Sequence, residues 1–304
     1  MVNENINVLV VGDIMLDEYI IGTVDRISPE APVPIVLTKD KKYCLGGCGN
    51  VANNLRSLHV NTTCLSIIGF DQEGEKIKKL INEKSIEPHI IETQNPTTTK
   101  TRIVTDSNIQ MLRVDKEITQ YPKYIQETIS SKLEQVLRNN KFDIVIISDY
   151  NKGMITKNLL NIIEYFSHDF KILADIKPEN IDLLDFNIYL IKPNEKEYLK
   201  MKNKQINSRY IINTLGKKGI KILNYDRDIV DEIKGTPVEV YNVSGAGDTV
   251  MAVLATCIGL GINIKTASKI ANDCARYVIQ YPDTTPIDYD FFIKSIYDNK
   301  YRES

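Results

Sequence analysis

The sequence predicts an α/β fold: three layers, α/β/α, around a mainly parallel central sheet, with a small antiparallel β sheet as a lid. Three observations predict it. Short apolar runs rich in Ile and Val alternate with amphipathic stretches, which is how strands and crossover helices alternate when a parallel sheet is covered on both faces. The apolar runs end in polar or glycine residues, so polar groups collect beyond the carboxyl ends of the strands, where such folds bind ligands. Finally, residues 18–39 and 89–115 break the alternation and read as strands and turns without helices, which assigns them to the lid.

Taken in order, residues 6–13 (INVLVVGD) are a buried strand from the outset. The helical spacing of 50–59 follows, then a strand at 62–69 (TTCLSIIG) and a helix at 72–84. A long amphipathic stretch at 124–140 leads to the strand 142–149 (FDIVIISD), and a helix at 156–166 leads to the strand 170–176 (FKILADI). Residues 186–193 (FNIYLIKP) and 209–216 (RYIINTLG) close the series as strands, with a helix at 194–202 between them. The apolar run 250–260 (VMAVLATCIGL) is a further helix. The Lys- and Asn-rich stretch 201–209 reads as a solvated surface segment.

The 304 residues could hold two average domains, but one large domain over 1–304 is expected. With 42% hydrophobic and 26% charged residues and a net charge of −2, the chain is globular and poorly suited to nucleic acid. No apolar run approaches the roughly 18 residues of a membrane span, and the strand pattern at the N-terminus is no signal peptide, so the cytoplasm is the expected compartment. Five cysteines, Cys44, Cys48, Cys64, Cys257 and Cys274, lack a partner set for a metal and read as buried reduced thiols. The histidines His59, His89 and His168 lie in unrelated segments and assemble no triad.

Residues 242–249 (NVSGAGDT) carry the strongest chemical signal. Gly245, Ala246 and Gly247 let a backbone approach an anion and continue as a helix, whose N-terminus adds about half a positive charge. Asp248 follows in the first turn, beside the anion, where a general base is useful. A second glycine-rich turn at 45–54 (LGGCGNVANN) offers Gly47 and Asn50 to hydroxyls. Asp13 and Asp17 lie just past the first strand, where carboxylates can accept from a sugar or simply cap turns.

Together these segments resemble the ribokinase-type (PfkB) carbohydrate kinases, over nearly the whole chain and in the right order. Gly46, Gly47 and Asn50 look like the N-terminal sugar-binding signature, and Ser244 to Asp248 look like the C-terminal one. Lys192-Pro193-Asn194-Glu195-x-Glu197 looks like the family's region near metal and phosphates, and Thr214 to Gly219 like its nucleotide-side turn. The resemblance implies a ribokinase-like fold, ATP and Mg²⁺ as cofactors, and Asp248 as the base, with the Gly245–Gly247 amides stabilising the transferring phosphoryl group. It implies Mg²⁺ near Asn194 and Glu197, held mostly through water, and Thr214, Gly216, Gly219 and Asn272 around the nucleotide.

Within the family, residues 25–36, 97–104, 110–115 and 148–153 look like the heptose 7-phosphate kinases. That likeness implies phosphorylation of the anomeric hydroxyl of D-glycero-D-manno-heptose 7-phosphate to the 1,7-bisphosphate, on the route to nucleotide-activated heptose for lipopolysaccharide or capsule. Asp17, Gly47, Asn50 and Asp149 are then expected on the sugar, with Lys100, Arg102 or Arg113 on its distal phosphate and Arg26 behind them. No nucleotidyltransferase signature is present, so that step and a phosphatase step are expected from separate proteins. Pairing of lids across a twofold axis implies a homodimer. Asn242 departs from the Asp usual at that position, which puts activation by a monovalent cation such as potassium in doubt. The alternatives are a same-fold kinase for another phosphosugar or a nucleoside, and a non-catalytic sugar or nucleotide sensor.

Overall fold

The computed structural model describes residues 5–301. Residues 1–4, part of the segment read above as no signal peptide, and residues 302–304 lie outside the described residues. The large sheet has nine strands. Seven are mutually parallel: β1 (Asn7–Gly12), β4 (Asn61–Gly69), β5 (Glu87–Thr93), β8 (Ile144–Ser148), β9 (Lys171–Asp175), β10 (Ile188–Ile191) and β11 (Ser208–Thr214). An antiparallel hairpin, β12 (Gly219–Asn224) and β13 (Ile229–Lys234), extends it at one edge, giving the order β13-β12-β11-β10-β9-β8-β1-β4-β5. Alternate residues of one strand serve opposite faces, as the strand period requires: Val8 and Val10 enter one core, Leu9 and Val11 the other.

On the first face lie α1 (Cys48–Ser57), α2 (Gln72–Glu83), α6 (Ala246–Gly259), α7 (Ile264–Val278) and α8 (Tyr289–Tyr301). The second face carries α3 (Lys123–Asn139) and α4 (Lys157–Phe166), and α5 (Glu195–Met201) adds Met201 there. Local chemistry starts most of these helices where they begin. Asp71 accepts from the Gly74 amide at 2.9 Å ahead of α2, Thr156 from Leu159 ahead of α4, and Asn263 from Thr266 ahead of α7. Helix α6 is apolar on all sides and is buried continuously from Asp248 to Ile258, as a central helix must be.

A second, four-stranded sheet, ordered β3-β2-β6-β7, is built from β2 (Ile14–Ile27), β3 (Pro34–Gly47), β6 (Thr99–Thr105) and β7 (Gln110–Lys116). Its two hairpins are antiparallel, while β2 and β6 join them in parallel. Both expected lid segments contribute, but residues 89–93 belong to β5 at the edge of the large sheet, because the strand after α2 returns in parallel beside β4. Hairpin β12–β13 and helix α8 complete the fold without having been singled out from sequence. No described helix is long and apolar enough to cross a membrane. All five cysteines are free thiols, four buried and Cys44 half-buried.

Candidate active site

The polar strand ends converge on the first turn of α6. Gly245 caps this helix with φ 82°, in the left-handed region where a side chain is strained, and a Cβ there would lie 2.5 Å from the Asn50 amide nitrogen. Gly247 is needed for closeness instead: a Cβ on it would sit 3.3 Å from Lys192 Nζ. Among the described residues the amides of Gly247 and Asp248 donate to no protein acceptor, unlike those of Ala246 and Thr249 on either side. The first turn therefore presents donors beside a lysine.

Asp248 is 5% exposed. Its Oδ2 accepts from Asn50 Nδ2 at 2.8 Å and its Oδ1 from the Tyr150 hydroxyl at 2.5 Å. Burial pushes its carboxyl up to about 6, against the two hydrogen bonds, which favour the ionised form. Such a group ionises near neutrality and can take up a proton there. Asn50 is in turn fixed by Asn54, whose Nδ2 donates to its backbone oxygen at 2.9 Å and to its Oδ1 at 3.2 Å.

Lys192, 3% exposed, is paired with Asp175 Oδ2 at 2.8 Å. The other Asp175 oxygen, Oδ1, is buried without a partner. Sequence reasoning placed Lys192 inside a motif but gave it no role; the spacing of KPNEKE could have shown that the residue following β10 reaches the same strand-end cluster as Asp175. Farther along that cluster, Lys177 Nζ binds Glu197 Oε1 at 2.6 Å. Burial works against the Lys177 charge, but Asp175 and Glu197 hold its pKa above the ordinary lysine value. Asn194 and Glu197 form a reciprocal capping box at the start of α5, with bonds of 3.0 and 2.9 Å. Thr214 is bridged to Asn194, followed by the Gly216–Lys218 turn and Gly219, while Asn272 is half-buried on α7, which packs against β12 and β13.

Three expectations change. Asp149 is 1% exposed, and its carboxylate accepts from the Asn151 and Lys177 amides and Asn180 Nδ2 at 2.7–2.9 Å, so it holds loops together. Asp13 has the same fate, accepting from the amides of Tyr150, Lys152 and Met154. Asp17 and Arg102, expected at opposite ends of a sugar, are a single buried ion pair at 2.6 Å, because β2 and β6 place them on one face of the second sheet. Arg102 lies over the Tyr19 ring, and the Tyr19 hydroxyl reaches Thr284 Oγ1 at 2.9 Å, which ties this pair to the Asn242–Gly245 turn. Lys100 and Arg113 share that face and both pair with Asp115, at 3.2 and 2.9 Å. Gly47 opens α1 beside Met15 and the Asp13 carbonyl. Arg26 is exposed toward the far end of β2.

Among the described residues no three His, Cys, Asp or Glu side chains cluster as a metal site. The donor set suits Mg²⁺ that keeps its own waters: Glu197 and Asp175 retain free lone pairs, although their charges are already shared with lysines.

Comparison with known proteins agrees with this geometry. A family model described as "pfkB family carbohydrate kinase" matches residues 5–289. The bifunctional protein HldE of Nitratiruptor sp. is 34% identical over 90% of this chain, and that of Campylobacter concisus is 36% identical over 91%. The chain spans 61% of the length of each. A D-beta-D-heptose 7-phosphate kinase of Bordetella bronchiseptica is 32% identical, with 90% of both chains covered. Among solved structures, phosphofructokinase-2 of Escherichia coli in complex with substrates and products superimposes with a TM-score of 0.79 at 16% identity, covering 97% of this chain and 99% of that one, a likeness of fold. Taken with the buried aspartate at the glycine-rich start of α6, the match over residues 5–289 shows that this chain belongs to the pfkB family of carbohydrate kinases.

Proposed function

We propose that the protein transfers the γ-phosphoryl group of ATP to the anomeric hydroxyl of D-glycero-D-manno-heptose 7-phosphate, yielding the 1,7-bisphosphate and ADP. The observation that carries this reading is Asp248, buried and ionisable near neutrality, one turn into a helix whose open amides stand beside Lys192. The names of relatives 32–36% identical to the chain support the heptose substrate.

In this mechanism the sugar hydroxyl lies against Asp248, which takes its proton as the oxygen attacks the γ-phosphorus. The bond from that phosphorus to the β–γ bridging oxygen breaks, and the electron pair leaves with ADP. Phosphoryl transfer asks for positioning and charge neutralisation more than covalent help. The Gly247 and Asp248 amides and the Lys192 ammonium supply fixed positive charge where the equatorial oxygens develop theirs. When bound, Mg²⁺ offsets phosphate charge; Glu197 and Asp175 are the residues that would hold its water shell, with Asn194 beside them. Thr214, Gly216, Gly219 and Asn272 flank the nucleotide.

Asn50 and Gly47 face the sugar from the start of α1. Its distal phosphate falls to Lys100 and Arg113, two cations that share the carboxylate of Asp115 on a more open part of the sheet, whereas Arg102 is buried in a one-to-one pair with Asp17. The second sheet exposes Leu37, Leu112 and Val114, at 65%, 54% and 51%. Apolar surface of this kind is normally covered, which supports a homodimer. Val33 adds to that surface, while Ile20, Ile21 and Ile35 of the same sheet are half-buried.

The test is to incubate the purified protein with heptose 7-phosphate and ATP and locate the new phosphate by ³¹P NMR. A phosphate at the anomeric carbon is the expected product. Turnover of another phosphosugar with heptose 7-phosphate untouched would reassign the substrate, and binding without turnover would leave a sensor.

A further inference from the structure

Tyr150 sits where no ordinary loop residue needs to be. It lies between β8 and α4, and its hydroxyl donates to Asp248 Oδ1 at 2.5 Å across 98 residues of sequence. The loop that carries it is held with unusual expense. Asp13 Oδ2 accepts from the Tyr150 and Lys152 amides at 2.8 and 3.1 Å, and Asp13 Oδ1 from the Met154 amide at 3.3 Å. Asp149 binds the Asn151 amide at 2.7 Å and ties the loop to Lys177 and Asn180. Asn151 is left-handed at φ 56°, so the chain is folded back tightly just after the tyrosine. Two buried carboxylates are thus consumed in fixing six residues, although burial raises the pKa of both and so opposes their charge. The ring itself is covered by Lys177 Nζ, 5.1 Å from its centre. Backbone and ring are both fixed, and the hydroxyl has one direction left to it.

We infer that Tyr150 is a positioning residue for Asp248: its hydroxyl orients the carboxylate toward the sugar and favours its ionised form. The inference deepens the proposed function, because it takes Asp248 as the proton acceptor. Every other group facing Asp248 comes from a different element. Asn50 from α1 donates to the second oxygen, Asp175 at the end of β9 opposes the charge, and Lys192 after β10 supports it. Asp17 on β2 and Asp175 face the Tyr150 hydroxyl and keep it protonated, together with burial and Asp248 itself. The phenol therefore stays a donor across the working pH range. A donor to the charged form lowers a carboxyl pKa, so removing it raises Asp248 from a value that burial already places at about 6.

The decisive variant is Tyr150→Phe, which keeps the ring beneath Lys177 and removes only the donor. The acidic limb of the kcat/KM–pH profile is expected to move to higher pH by about one unit, the scale of a single hydrogen bond to a carboxylate. In protein labelled with ¹³C at aspartate carboxyls, the Asp248 resonance, assigned by its loss in Asp248→Asn, should titrate higher by the same amount without substrate. A tyrosine that merely filled space would lower kcat or the melting temperature and leave the titration where it was. An unchanged Asp248 titration in Tyr150→Phe overturns the inference, whatever happens to kcat. Absence of phosphoryl transfer by the wild-type protein would instead overturn the proposed function, while the carboxyl titration still reads whether Tyr150 sets the ionisation of Asp248.

Discussion

Two helices begin in glycine-rich turns, and the turns meet where Asn50 of α1 donates to Asp248 of α6 at 2.8 Å. Both caps are glycines with positive φ, 59° at Gly47 and 82° at Gly245. Their surroundings differ. The start of α1 is wholly buried, has no acidic residue in its first turn, and carries the neutral amide Asn50, fixed from behind by Asn54. The start of α6 is half-exposed up to Gly247, carries Asp248, and has Lys192 against its backbone. A glycine-rich helix start is therefore only a platform of donors; the neighbouring charges decide whether it suits a hydroxyl or a phosphoryl group. The neutral platform faces the sugar in our reading, and the charged one faces the reaction.

The sharpest break of this contrast is to neutralise the charged turn. Asp248→Asn should lower kcat by roughly 100- to 10,000-fold, the span for losing a general base, with little change in nucleotide affinity. Turnover near the wild-type rate would mean that the α6 turn acts through its backbone alone. Lys192→Met should cost about 100- to 1,000-fold in kcat, comparable with losing one preorganised donor at a developing charge. Because that variant strands Asp175 without its cation, the double change Lys192→Met with Asp175→Asn should recover the melting temperature and leave kcat low. Recovery of both would make the lysine a purely structural partner.

A weaker effect sharpens the contrast through pH. Folding raises Asp248 from 3.8 to about 6, so between those values the folded chain holds a proton that the unfolded chain has released. Its contribution to stability is complete below pH 4 and is lost as pH rises through 6. At the half-buried cap of α2 the sign is opposite. Burial works against the charge of Asp71, yet bonds from Thr97, Gly74 and Lys116 bring it down to about 2, so its contribution is present above 3.8 and lost as pH falls. Thermal melts of wild type minus Asp248→Asn between pH 4 and 7 should show the wild type losing ground as pH rises. A difference flat across that range would show that Asp248 is not strained by burial.

The smallest effect concerns Asn242 at the entry to the α6 turn. Its Oδ1 caps the Ser244 amide at 2.9 Å, and its Nδ2 donates to the Pro282 carbonyl at 3.0 Å. A neutral amide that occupies a carbonyl leaves little for a monovalent cation, so replacing Na⁺ by K⁺ at constant ionic strength should change the rate little. Asn242→Asp should increase the response to K⁺. Strong activation of the wild type at low millimolar K⁺ would show that the remaining oxygens suffice.

The sheet strands were legible because burial on both faces leaves continuous apolar runs, as in residues 142–149 and 170–176. The glycine-rich turns were legible because few residues can take their place. Pairings between distant polar side chains were not. Nothing in local pattern shows that Asp17 meets Arg102 or that Asp149 is held by Lys177 and Asn180 from the next crossover, since both follow from strand register and crossover geometry. Tyr150 was visible only as part of a motif, because a tyrosine in a loop carries no sign of the carboxylate it will face. Hairpin β12–β13 escaped notice because β12 is short and follows a glycine-rich turn, while the charged, half-exposed residues of β13 look like surface.

Strands β2 and β3 each run 14 residues, in pairing from Ile14 opposite Gly47 out to Ile27 opposite Pro34. In mechanical language this hairpin is a cantilever. Its root, with Asp17 and Gly46, is clamped in the site, while its tip projects into solvent. No loop interrupts it to act as a pivot, so a load applied at the tip reaches the root as a bending moment. The beam yields where the pairing slips, between Ile21 and Gly22 and between Val24 and Arg26, because a bulge is a local relief of the ladder. Outboard of those points the two strands are held mainly by their own ladder; inboard of them β6 pairs alongside, and the stiffness is that of the site itself.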